Sequence, residues 1–171
     1  MKKLLIPILA MVLALGIAIP VSANGPYDLI ADGRDEALDV GSVTVAQSGS
    51  NLIVTIATDY LDYELVETHV HVAMSYLDLP QTGSGNPKIG HFDYSSEHDP
   101  MAGDVTSKQY TIPLSSYGLT YVVVHADVYS ATSLIPGTID EYGRYETAWV
   151  DGDDFDGRNW AMYITFVTTA P

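Results

Sequence analysis

The chain has 171 residues, of which 22 are acidic, 7 are basic and none is cysteine. That length suits one domain with a substantial core. A formal charge of −15 repels phosphate backbones and excludes nucleic acid as a partner, while it attracts divalent cations. Without cysteine there are no disulfide staples, thiolate metal sites or lipidated cysteine.

Lys2 and Lys3 precede an apolar run at residues 4–19, and the small-residue triplet Val21-Ser22-Ala23 follows it. This is the pattern of an export signal cleaved before Asn24. The alternative is an uncleaved anchor, because residues 4–23 are just long enough to span a bilayer. The expected organisation is a signal peptide at 1–23 and a single β-sandwich domain at 24–171. The product is expected to be secreted or held at the cell surface, with no membrane contact after cleavage. Cleavage leaves five basic residues (Arg34, Lys88, Lys108, Arg144 and Arg158) against 22 acidic ones, hence −17.

Beyond the signal, nearly every segment reads as strand. Residues 42–47 and 51–58 are β-branched runs joined by Ser48-Gly49-Ser50, a hairpin signal. Residues 65–76 alternate, with Val66, Val70, Val72 and Met74 on one face and Glu67, His69 and His71 on the other. Residues 88–94 and 109–114 are further short strands. Residues 121–129 set Val122, Val124, Ala126 and Val128 against Val123, His125 and Asp127. Residues 144–150 and 160–167 complete the series. The pattern predicts an all-β fold, a single antiparallel β-sandwich or Greek-key barrel of about eight strands.

All five histidines fall between residues 69 and 125. His69 and His71, two apart on a strand, share a face with Cα atoms roughly 6.5–7 Å apart, which suits two ligands of one transition metal. His125 has the same polar-face parity on another strand, so three imidazoles converge if the two strands are neighbours. His91 and His98 lie on or beside a loop able to close such a site. The competing reading is a set of half-exposed histidines satisfied by Thr, Asp or backbone.

Asp151, Asp153, Asp154 and Asp156 offer hard oxygen ligands for calcium, although Phe155 stands where an EF-hand loop needs a ligand. A solvated acidic turn explains the same residues. Trp149 and Trp160 bracket this loop. Aromatics beside carboxylates suit sugar binding, but with only three phenylalanines in the chain they more often fill the core.

The runs Glu67-Thr-His-Val-His-Val-Ala73, His98-Asp-Pro100, Glu146-Thr-Ala-Trp149 and Asn159-Trp-Ala-Met-Tyr163 resemble an uncharacterised family of secreted microbial β-domains. That resemblance implies a β fold and export, without a reaction. A weaker resemblance, in motif order, is to secreted copper/zinc superoxide dismutases. It rests on residues 41–55, His69-Val70-His71, Gly90-His91-Phe92, His98, Gly103-Asp104, Val123-Val124-His125 and Gly157-Arg158. It implies copper at His69, His71, His91 and His125, zinc ligands including His98 and Asp104, and Arg158 as an anion guide. One zinc histidine and the disulfide pair of that family are missing here.

The function expected from these features is an exported acidic binding module that holds a divalent metal, Cu or Zn, through strand histidines, with Ca as a second cation. The alternatives are a superoxide-dismutase-like copper enzyme and a structural or adhesive surface protein without metal chemistry. Expected partners are divalent cations, surface polymers or other copies of the chain.

Overall fold

The computed structural model describes residues 22–31, 37–59, 63–99, 105–130, 134–135, 138–139 and 144–171. Its strands are β1 (Ser22–Ala31), β2 (Leu38–Ser48), β3 (Asn51–Thr58), β4 (Tyr63–Ala73), β5 (Tyr94–Glu97) and β6 (Ser107–Pro113). They continue with β7 (Gly118–Ser130), β8 (Leu134–Ile135), β9 (Thr138–Ile139), β10 (Arg144–Val150), β11 (Asp153–Asp154) and β12 (Met162–Thr168). Short 3-10 turns occupy Tyr76–Asp78 and Ile89–His91.

β6, β3, β2 and β1 lie side by side, β1 continues through β10 to β7, and β7 continues through β4 to β5. Each pairing is antiparallel. β3 pairs with β6 and not with β4, so the chain leaves after β3, builds the β4–β5 pair opposite, and returns. This is a Greek-key connection. The fold is all-β, and its eight-strand antiparallel sheet curls into a nearly closed barrel. At the seam between β5 and β6, side chains do the bridging. Lys108 Nζ donates to Ser96 Oγ at 3.0 Å, and Tyr94 meets Tyr110 edge-on at 6.2 Å between ring centroids.

Period-two alternation fills the interior with Val43, Val45, Leu52, Val54, Ile56 and Phe166, joined by the even-numbered residues of β7 from Val122 to Val128. Two polar groups share that interior. The Thr68 hydroxyl and Tyr110 phenol are 2.7 Å apart, and the phenol also donates to the Thr68 carbonyl at 3.2 Å.

A second apolar cluster lies on the outside of the wall. Ala73, Val123, Trp149 and Met162 are covered there by Leu79, Phe92 and Phe155 from the loops. β7 is therefore buried on both faces at its centre, where alternation alone predicts a polar outer face.

Two local expectations are corrected. A bulge between Leu65 and Glu67 makes Leu65, and not Val66, the core residue at the start of β4. Residues 88–94 form a turn that seats Phe92 on the outer cluster, and the strand begins only at Tyr94. The two covering loops are tied together by Asn86, whose Oδ1 accepts the N–H groups of Arg158 (2.8 Å) and Asn159 (3.1 Å). Gly157 is required at this junction, since a Cβ there would collide with Asn86 Oδ1.

Candidate functional site

Strand register places the histidines. On the outer face of the wall, His69 of β4 stands directly opposite His125 of β7, and the row extends to Ser95 on β5 and Trp149 on β10. The adjacent row on the same face reads Glu97, Glu67, Asp127 and Thr147. Two imidazoles and three carboxylates thus occupy neighbouring positions across three strands, with Cβ atoms of directly opposed residues about 4.5–5.5 Å apart.

The His69 and His125 rings are 5.6 Å apart between centroids and tilted by 48°. His69 Nε2 is 2.8 Å from Glu67 Oε1. His125 Nε2 is 3.7 Å from Asp127 Oδ1, and that carboxylate oxygen accepts a hydrogen bond from Thr147 Oγ1 at 3.3 Å. Trp149 presses edge-on against His125, 4.7 Å between centroids.

Burial, reinforced by the neighbouring His69, depresses the His125 pKa to about 3, so its imidazole is neutral at ordinary pH. Its Nδ1 is buried without a hydrogen-bond partner. Burial raises the Asp127 carboxyl above its usual range; Thr147 opposes that rise, Glu67 adds to it, and His69 opposes it. A pair of carboxylates crowded beside the neutral His125 imidazole is short of positive charge, which a divalent cation would supply.

His71 does not join this pair. Its Nδ1 lies 3.3 Å from Asp93 Oδ2 without hydrogen-bond alignment, and its ring packs 5.8 Å from Phe92. Burial lowers its pKa, against the opposing pull of Asp93 and the Asp78 carbonyl. His91 is exposed in its 3-10 turn. His98 is half-buried at the end of β5 with an unpartnered Nε2, its pKa lowered by burial and by Lys108. Asp104 lies outside the described residues. Among the described residues, no three His, Asp or Glu side chains are gathered in metal-holding geometry. Of the four-histidine copper set, the structure brings together His69 and His125 alone, so no copper redox step is derived for it.

Asp151, Asp153, Asp154 and Asp156 are all exposed. Asp153 and Asp154 are consecutive residues of β11, opposite Tyr163 and Met162, and consecutive strand side chains point to opposite faces. Phe155 between them is buried and packs on Tyr76 and Tyr163. Phe155 thus anchors the loop at the position where a regular calcium loop would need an oxygen. Arg158 is exposed, and its backbone is held by Asn86.

Sequence reasoning had the parity of Glu67 and Asp127 but not their role. Their partnership depends on the β4–β7 register, and that of Glu97 on β5, which no local pattern reveals. Comparison with protein-family models, curated proteins and solved structures finds no match to this chain.

Proposed function

We propose that the protein is an exported acidic β-barrel module that binds a divalent transition metal, Zn or Cu, on the outer face of its β4–β7 pair. His69 and His125 are the imidazole ligands, and Glu67 and Asp127 are the carboxylate partners. The observation that carries this reading is the direct opposition of His69 to His125, with Glu67 opposite Asp127 one step along the same face. Imidazole suits zinc and copper, and carboxylates complete four-coordinate zinc sites. A metal ligand must be a neutral imidazole, and buried His125 meets that condition without losing a proton. Small rotations of the half-buried Glu67 and Asp127 carboxylates and of His69 are needed to close the set.

The test is metal stoichiometry and calorimetry on the purified chain, with EPR after Cu²⁺ addition. One metal per chain is expected, with affinity reduced at least tenfold in His69→Ala and in His125→Ala. His71→Ala should stay within a few-fold of the parent. Absence of stoichiometric metal, or binding that survives both His69→Ala and His125→Ala, would sink the reading. Concentration-dependent polymerisation without metal would then favour the structural surface protein. Superoxide turnover above that of free copper is the requirement for the enzyme reading.

A further inference from the structure

The seam between β5 and β6 is a wedge. At one end it is shut, where the Leu65 N–H donates to the Val105 carbonyl (2.7 Å) and Lys108 reaches Ser96. β5 covers β4 only from Glu67 to Val70, while β4 runs on to Ala73 and β6 runs on to Pro113. Just beyond β6, the Leu114 N–H is held by the Ser50 carbonyl (2.8 Å), which draws the chain toward the β2–β3 hairpin. Past Tyr94 the seam therefore opens into a cavity of about 180 Å³.

Val72, Tyr94, Ile112 and Leu114 give this cavity an apolar wall that continues into the barrel interior, and Met74 extends it. The rest of the lining is polar: Asp93, Ser115 and Ser116 bring acceptor oxygens to the same space. Asp93 carries the only charge in that lining. Among the described residues its ion-pair neighbour is His71, with no Lys or Arg in reach.

His71 leaves the carboxylate unsatisfied. It is 8 % exposed and hydrogen-bonds the Asp78 carbonyl, while its Nδ1 has no partner. The bond to Asp78 therefore comes from the Nε2 proton, and Nδ1 of the neutral ring is an acceptor. That lone pair stands 3.3 Å from Asp93 Oδ2, which is also an acceptor. Two acceptors face each other with no donor between them, at the mouth of a cavity whose far wall is aliphatic and aromatic.

We propose that the open end of the β5–β6 seam binds a small primary ammonium ion carried on a short aliphatic chain. The ammonium donates to Asp93 and relieves its opposition to the His71 lone pair, and the chain lies on Val72, Ile112 and Leu114. A primary ammonium brings three donors to a lining of acceptors. A divalent metal is a poorer fit, since one carboxylate and two hydroxyls fall short of the oxygen shell that hard cations take. The cavity is smaller than the roughly 300 Å³ at which drug-sized pockets begin, so the ligand is a short chain and not a ring system. This inference is independent of the metal face, because neither His69 nor His125 lines the cavity.

The test is an NMR titration of the full chain, kept metal-free with a chelator, using n-alkylamines from ethylamine to hexylamine. Saturable shifts are expected at Val72, Met74, Asp93 and Leu114 and at the His71 Nδ1 nitrogen. Affinity should rise with each added methylene, by up to about fourfold, until the wall is covered. The Asp93 side chain is 63 % exposed, so Asp93→Asn, which disturbs no core residue, should weaken hexylamine by roughly two- to fivefold. Hexanoate should not bind. A flat chain-length series, hexanol binding as tightly as hexylamine, or an unchanged affinity in Asp93→Asn overturns the proposal. So does binding of a capped lysine peptide without binding of free amines, which would assign the cavity to a protein partner.

Discussion

Along β7, Val122, Val124 and Ala126 point into the barrel, while Val123, His125 and Asp127 point out through the same stretch of backbone. Both faces are buried at this point, yet their polar groups fare differently. Inside, the Thr68 hydroxyl and Tyr110 phenol satisfy each other, and no charge is present in that pair. Outside, His125 is 4 % exposed but keeps a buried Nδ1 without a partner, next to Asp127, whose proton affinity is raised by burial and by Glu67. The inner face has used its bonding capacity to hold the fold, whereas the outer face retains capacity that a ligand can meet.

The comparison is broken most severely from the inside. Phe166 is fully buried in the interior cluster, and Phe166→Ala should cost about 3–5 kcal/mol in urea unfolding. Acid attacks the outside next. In the metal-free protein folded His125 stays neutral down to about pH 3, while the unfolded chain takes up the proton near its ordinary value. The unfolded state therefore binds more protons between these limits, and stability falls as pH drops from 6.5 toward 3. The loss should approach roughly 4 kcal/mol by the lower limit, and His125→Phe should flatten that part of the pH profile. An unchanged profile in His125→Phe would place the acid sensitivity elsewhere.

Smaller effects sharpen the contrast. Tyr110→Phe leaves the buried Thr68 hydroxyl without its partner and should cost about 1–3 kcal/mol, with metal affinity unchanged. At the bottom of the scale, Asp153→Asn with Asp156→Asn should leave the Tm unchanged, because both side chains are exposed. A Tm that rises on Ca²⁺ addition, and does so only with Asp153 and Asp156 present, would restore calcium to that loop.

Much of the barrel is legible in the sequence because its strands are long and regular. The hairpin at Gly49 and Ser50, the outward parity of His69, His71 and His125, and β10 at Arg144–Val150 follow from alternation and turn chemistry alone. β1 is hidden because Gly25 and Pro26 interrupt its pattern and because its first two residues read as the end of a cleavage site. The divergence of His71 is hidden for another reason. Parity fixes the face of a side chain, but Asp93 and Phe92, which claim that ring, come from a loop whose path depends on the outer apolar cluster. The site residues followed from the period of a strand, and their partners from the sheet order, which is a long-range property.

The seam between β5 and β6 carries a consequence for cooperativity. β4 is fastened to β7 along its whole length and β6 to β3, but β5 and β6 themselves meet through side chains such as Lys108 and Ser96, and one backbone bond, from the Leu65 N–H to the Val105 carbonyl (2.7 Å), crosses beyond the end of β5. β5 is held by four cross-strand pairs to β4, so it can detach without disturbing the β2–β3–β6 ladder. Amide hydrogens of β5 should exchange with solvent well ahead of those in β7, through sub-global opening at a free energy below that of complete unfolding. Since Ser95 and Glu97 flank His69 and Glu67 on that strand, a bound cation that enlists Glu97 would slow the same exchange.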